Sequence, residues 1–279
     1  DVEDSHTTIR QKDKIYSELY KSEHMRNAGP YARLKFAMDY WCALWFWPID
    51  KADLLPTRSE FLFDMSLILE GTMSAVNVEA GQTSFFEATE MEQLSMDIID
   101  TYGTDTVVDI PRLRKENPRL DLAARIAEQN KFMHWELEFA DLFAERGGFD
   151  LIIGNPPWIK MTWNEQSVLS DKHPMFAVKK LTAAETSRHR TDALKNRETY
   201  ALYFEEFESM SGTQSFLNAG QNYYELKGQQ TNLFKCFLPQ AWRYCGSQGV
   251  SAFVHPDGVF DDPNGGYLRE IMYPKLRKH

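Results

Sequence analysis

Residues 149–160 read FDLIIGNPPWIK, and no other stretch limits the fold as tightly. Phe149 to Ile153 are mostly apolar and follow a Gly147-Gly148 turn, which predicts a buried strand. After Gly154, Asn155-Pro156-Pro157 can continue neither as helix nor as sheet. Each proline lacks an N–H, fixes its own φ and holds the residue before it extended. The chain must leave the strand as a stiff loop whose carbonyls enter no helical ladder. In an open parallel sheet, a loop at the carboxyl end of a strand is where ligands bind.

A second apolar strand is expected at VSAFV, 250–254, ended by His255-Pro256-Asp257-Gly258. Between the two lie expected helices at 199–208 and 231–245, the second stopped by Gly246. A strand, a long helical crossover and a strand predict a parallel α/β sheet. Residues 1–130 read as a helical region. Leu34, Met38, Trp41 and Trp45 share one helix face, and Pro48 ends that helix. Thr57 and Glu60 have the spacing of a capping box for EFLFDMSLILE, which should stop at Gly71. Asn117-Pro118 is an N-cap and first-turn pair for RLDLAARIAEQN. The expected division is therefore a helical part, 1–130, and an α/β part, 131–279, with a polar insertion at about 163–198.

Composition narrows the class. Hydrophobic residues are 43% of the chain and aromatics 13%, enough for a large core. The longest apolar run, near Trp41 to Trp47, is too short to span a bilayer, and the polar start DVEDSHTTIRQKDK is no signal peptide. Cys42, Cys236 and Cys245 form no CxxC pair, so reduced thiols in a cytoplasmic protein are expected. No HExxH or zinc spacing occurs. His134, Glu136 and Glu138, at alternate positions of a strand, lack a fourth ligand, so no metal is expected. The net charge of −10 argues weakly against a nucleic-acid partner. However, residues 1–150 carry 16 Lys and Arg against 28 Asp and Glu, while residues 151–279 carry 15 against 13. Only the second part would have to face phosphates.

Asn155 and its neighbours suggest a specific chemistry. A side-chain oxygen and a backbone carbonyl beside the Trp158 ring suit a planar group bearing an NH₂. Its two N–H groups would meet two acceptors while its ring stacks, a contact of about 1–3 kcal/mol. The lone pair of such an amine is delocalised into the ring. Acceptors that draw its hydrogens out of plane favour a tetrahedral, nucleophilic nitrogen, and so stabilise the transition state more than the ground state. A plain proline-rich turn with Trp158 in the core is the competing interpretation.

With these residues in view, the chain resembles a known family. Asn-Pro-Pro-aromatic after an FDxIIG strand is similar to the catalytic motif of amino-group methyltransferases that use S-adenosylmethionine. HWELEF ahead of GGFDLIIGNPPW, and NLFKCFLPQAWRYCGSQGVSAFVHPDGVF with GGYLREIMYPKLR after it, resemble the Eco57I-like N6-adenine DNA methyltransferases of restriction-modification and phage-defence systems. KFAMDYWCALWFWP is similar to a helical segment of these large enzymes. The resemblance covers about 131–279 and implies a partial Rossmann-like methyltransferase core, cytoplasmic, acting on double-stranded DNA.

It also implies roles. Asn155 and Pro156 would accept from the adenine N6 amine, Pro157 would stiffen the loop, and Trp158 would stack on the flipped base. Phe253 would face the same base from another side. Glu138 and Phe139 would contact the cofactor's adenine. One departure stands out: no Gly-x-Gly occurs in the chain, so the glycine-rich cofactor loop is absent. Together with ends that look cut, this suggests that the loop lies upstream of Asp1 and that a target-recognition domain follows His279. The isolated chain would then be inactive. In the insertion, Lys179, Lys180, Arg188 and Arg190 are candidates for DNA phosphates. The alternatives are a methyltransferase acting on protein glutamine or RNA, and a non-catalytic assembly module.

Overall fold

A computed structural model describes residues 29–70, 110–179, 181–229 and 232–276, together with Thr8, Arg10, Gln11 and Lys14. The expected helix stop at Gly71 and the phosphate candidate Lys180 lie outside the described residues. The chain forms two compact units: 1–44 with 50–137, and 45–49 with 138–279.

The first unit is helical where described. Helix α1 spans Pro30–Ala43, α2 Arg58–Glu70, α3 Ile110–Glu116 and α4 Pro118–Asn130. Both predicted helix starts form as local chemistry requires. The Thr57 backbone N–H donates to the Glu60 carboxylate at 2.7 Å, and the Glu60 N–H donates back to the Thr57 hydroxyl at 3.3 Å. Asn117 accepts from the backbone N–H groups of Arg119 and Leu120.

Helix α1 ends at Ala43, before the expected stop at Pro48, and the face shared by Leu34, Met38 and Trp41 is not its most buried one. Leu34 is 44% exposed and Trp41 is also exposed, whereas Ala32, Phe36, Ala37, Tyr40 and Ala43 are buried. Small alanines let α4 approach closely, and its own Leu120 and Ala123 are fully buried. A polar network crosses this core. The Tyr40 hydroxyl donates to Asp64 at 2.8 Å, and Arg119 reaches Asp64 at 3.2 Å and Glu60 at 2.6 Å. Burial, then the Asp64 charge, raise the Tyr40 phenol above its ordinary range.

HWELEF corrects a second expectation. Its centre, Trp135–Glu138, is one helical turn, α5, and not a strand. A strand needs a partner, and none of the described residues pairs with it. His134 is buried and lies 2.8 Å from Asp39, which also accepts from Lys35. Among the described residues no cluster of three or more potential metal ligands exists.

The second unit is α/β. It runs from α6, Ala140–Arg146, into strand β1, Phe149–Gly154. Four helices follow: α7 Glu165–Ser170, α8 Met175–Val178, α9 Ala183–Ala193 and α10 Arg197–Asn218. Helix α11, Leu233–Tyr244, leads straight into strand β2, Cys245–Phe253, and α12, Gly258–Asp261, and α13, Gly266–Met272, complete the unit. The expected helix at 199–208 is thus part of a 22-residue helix. Gly246 does not stop α11; it lies inside β2.

Strands β1 and β2 pair in parallel, with Leu151 opposite Val250 and Gly154 opposite Phe253, and the register shifts between Phe149 and Leu151. Gly148, at φ 140°, makes the entry possible, because a Cβ there would meet the Tyr244 carbonyl oxygen at 2.5 Å. β1 is not the buried strand expected from its composition: Leu151 is 58% and Ile153 71% exposed. The described residues form a two-stranded sheet, and Leu151 and Ile153 share its exposed face.

Residues 163–198 are also more structured than a polar insertion. Leu169, Phe176, Ala193 and Tyr203 form a buried cluster, with Trp163, Val168 and Leu181 packed against it. Thr182 and Glu185 make a full capping box at the start of α9. The polar residues of the segment cover this core, which is why composition alone hides it.

Candidate functional site

Because β1 and β2 are parallel, the loops that leave them emerge at the same end. The Val254 N–H donates to the Gly154 carbonyl at 3.0 Å, so pairing persists to the point where the first loop begins. The Phe253 ring covers Gly154, where an added Cβ would lie 3.3 Å from its Cε1. Phe253 also packs against the cluster of Phe234, Leu238, Val259, Leu268 and Met272. It is therefore both a half-buried core residue and the aromatic nearest the start of the loop.

Pro156 is buried, while Asn155, Pro157 and Trp158 are exposed, Trp158 at 55%. Among the described residues, neither the Asn155 amide nor the Pro156 carbonyl has a hydrogen-bond partner. Two acceptors on a proline-stiffened backbone are thus unpartnered among the described residues, one on exposed Asn155 and one on buried Pro156, and the exposed Trp158 follows them in the same loop. The far side of the loop is anchored. The Leu233 N–H donates to the Ile159 carbonyl at 2.9 Å, Lys160 bridges Asn232 in antiparallel fashion, and the Gln214 side chain donates to the Met161 carbonyl.

This geometry fits the comparison with known families. Residues 65–277 match the family model described as Eco57I restriction-modification methylase. The chain belongs to the Eco57I restriction-modification methylase family. No curated protein and no solved structure matches this Eco57I-family chain.

The structure brings Asn155, Pro156, Pro157, Trp158 and Phe253 of this family member to one end of the sheet. The Phe139 ring lies elsewhere. The Phe139 ring packs edge-on against Phe149, 5.1 Å away, at the opposite end of β1 from Asn155. Six strand residues separate the two ends, about 17 Å. No Gly-x-Gly occurs in the chain, so the described loop residues by themselves supply no glycine-rich cradle for S-adenosylmethionine.

Among the basic candidates, Lys179 and Arg188 are exposed. Arg190 is engaged: it binds Glu165 at 2.8 Å, and the Tyr203 hydroxyl donates to the same carboxylate oxygen at 2.7 Å. That bond and the Glu165 charge hold the Arg190 guanidinium above its ordinary value. Its charge is matched inside the helical module.

Three residues near the loop were not singled out from the sequence. Lys235 is 6% exposed, donates to Gln229 at 2.9 Å and pairs with Asp262. Asn232 has a buried side-chain oxygen with no partner among the described residues. Asp262, just after α12, has its carboxyl held below the ordinary value by the Lys235 hydrogen bond and then by the Asn264 N–H. The available signal was Lys235 itself, a charge inside the apolar run Leu233-Phe234-Lys235-Cys236-Phe237-Leu238. A lysine in such a run is paired when buried.

Proposed function

We propose that this chain carries the acceptor side of methyl transfer to the N6 amine of adenine in double-stranded DNA, within a restriction-modification or phage-defence system. The observation that carries this reading is the exposed, unpartnered Asn155 amide, followed by the unpartnered Pro156 carbonyl and the exposed Trp158 ring, at the carboxyl end of β1 in a restriction-modification methylase family member. The base would leave the duplex at a cost of a few kcal/mol and lie on Trp158. Asn155 Oδ1 and the Pro156 carbonyl would each accept one N6 hydrogen. That localises the nitrogen lone pair and aims it away from the ring plane. S-adenosylmethionine, the proposed donor, supplies an electrophilic methyl group. Glu138 and Phe139 are proposed for the cofactor's adenine, away from the acceptor loop, since the Phe139 ring packs on Phe149.

Residues 131–279 are proposed as the catalytic part and residues 1–130 as a helical part. Exposed Lys179 and Arg188 are proposed to meet phosphates, a role for which Arg190 is less suited while paired with Glu165. The test is transfer of a tritiated methyl group from S-adenosylmethionine by the whole protein to DNA, RNA and protein acceptors, followed by nucleoside digestion. Label recovered as N6-methyldeoxyadenosine is expected. Label in RNA or on glutamine, or none in any acceptor, would overturn the reading.

A further inference from the structure

Four consecutive residues at the start of α11 hold both loops of the site. Asn232 bridges Lys160, and the Leu233 N–H holds the Ile159 carbonyl, so these two fix the loop that follows β1. Phe234 stacks on His255 with ring centres 5.7 Å apart and planes within 13°. Lys235 pairs with Asp262, whose own backbone carbonyl accepts from Arg269 at 2.8 Å. These two fix the loop that follows β2. Lys235 is surrounded by protein, and burying an ammonium is costly unless acceptors meet it. Gln229 and Asp262 are those acceptors.

We infer that Lys235, paired with Asp262, is a positioning residue that sets the spacing between the Asn155-to-Trp158 loop and the Phe253-to-Asp262 loop. The inference rests on the proposed function for its kinetic consequence, but its structural consequence stands without it. Hydrophobic packing alone would hold α11 against Leu268 and Met272. It would not fix the rotation of the first turn, because apolar contacts are non-directional. The ammonium between two oxygen acceptors is directional. Rotating that turn would carry Leu233 and Asn232 with it, and with them the carbonyl of Ile159. Among the described residues the polar partners of Lys235 are Gln229 and Asp262 and none lies in the 155–162 loop, so a polar effect there has to travel through the first turn of α11.

The test uses the whole protein with Lys235→Met, Asp262→Asn and the double variant K235M/D262N. Hydrogen exchange is read by segment, and methyl-transfer kinetics are read alongside. In each single variant, amide protection across 158–162 and at Leu233, the donor to the Ile159 carbonyl, is expected to fall about tenfold or more, while α4 is unchanged. The kcat should fall about 10- to 100-fold, as misplacement of reacting groups by about 1 Å does, with KM for S-adenosylmethionine within twofold. In the double variant no buried charge is left unpaired, so thermal stability should recover. Loop protection and kcat should remain low. Exchange changes confined to 257–262, or recovery of kcat together with stability, would overturn the inference. Should K235M not fold, the milder D262N carries the same readouts. If methyl transfer is absent in the unmodified protein, the function proposal fails, and hydrogen exchange still decides this one.

Discussion

Replacing Asn155 separates chemistry from folding, because the structure gives its side chain nothing structural to do. The amide is exposed and has no hydrogen-bond partner among the described residues. Asn155→Ala therefore removes no internal bond and opens no cavity. The stability change should stay within about 0.5 kcal/mol, the usual range for such surface positions. For a chain of this size that is a shift of about 1–2 °C in Tm. The chemical effect is of another order. Removing one acceptor that acts on charge developing in the transition state costs about 10²–10³ in kcat, or about 2.7–4 kcal/mol. Asn155→Asp keeps acceptor oxygens in the same place and should retain more activity than Ala. The assay is tritium transfer to DNA under saturating substrate, paired with thermal unfolding of each variant. Activity of N155A within threefold of wild type would refute the acceptor role. A fall in Tm of more than about 5 °C would refute the claim that the amide is free of structural duty.

Two further outcomes follow from the geometry. Gly148→Ala places a Cβ 2.5 Å from the Tyr244 carbonyl at a φ of 140°, and should destabilise by about 1–3 kcal/mol or more by chemical denaturation; an unchanged midpoint would show that the β1 entry differs from that described. The carboxyl of Asp262 is held below its ordinary value of 3.8 by Lys235, so its contribution is present above that pH and lost as pH falls through the folded value. The stability difference between wild type and Asp262→Asn should accordingly shrink on acidification from pH 5 to below 3.8, and a difference that grew would contradict the pairing.

Local chemistry was readable along the chain. The Thr57–Glu60 box and the Asn117 cap needed only neighbours within three residues, and both formed as expected. The strand ending at Gly154, its parallel partner through Phe253 and the stiff Asn155-to-Pro157 loop were likewise legible, since prolines act on their own backbone. What failed depended on distant partners. Leu34, Met38 and Trp41 share a face of α1 as read, but the face that packs is the one whose alanines admit α4, and the helix ends at Ala43 instead of Pro48. HWELEF read as short and mixed, and without a strand partner it closed into a helical turn. The stretch 163–198 looked polar because its core residues, Leu169 and Phe176 among them, are sparse in sequence and meet only after folding.

The residues of the Asn155-to-Trp158 loop, and the stiffness that keeps their acceptors out of a helical ladder, were determined by the sequence alone, because planar amides and proline rings impose them locally. Tertiary structure decided the rest. It laid Phe253 over Gly154, kept Phe139 at the far end of β1, matched Arg190 with Glu165 and set Lys235 against Asp262. Each of these is a contact between residues at least ten positions apart, and a pairing at that range is chosen by packing of the whole unit.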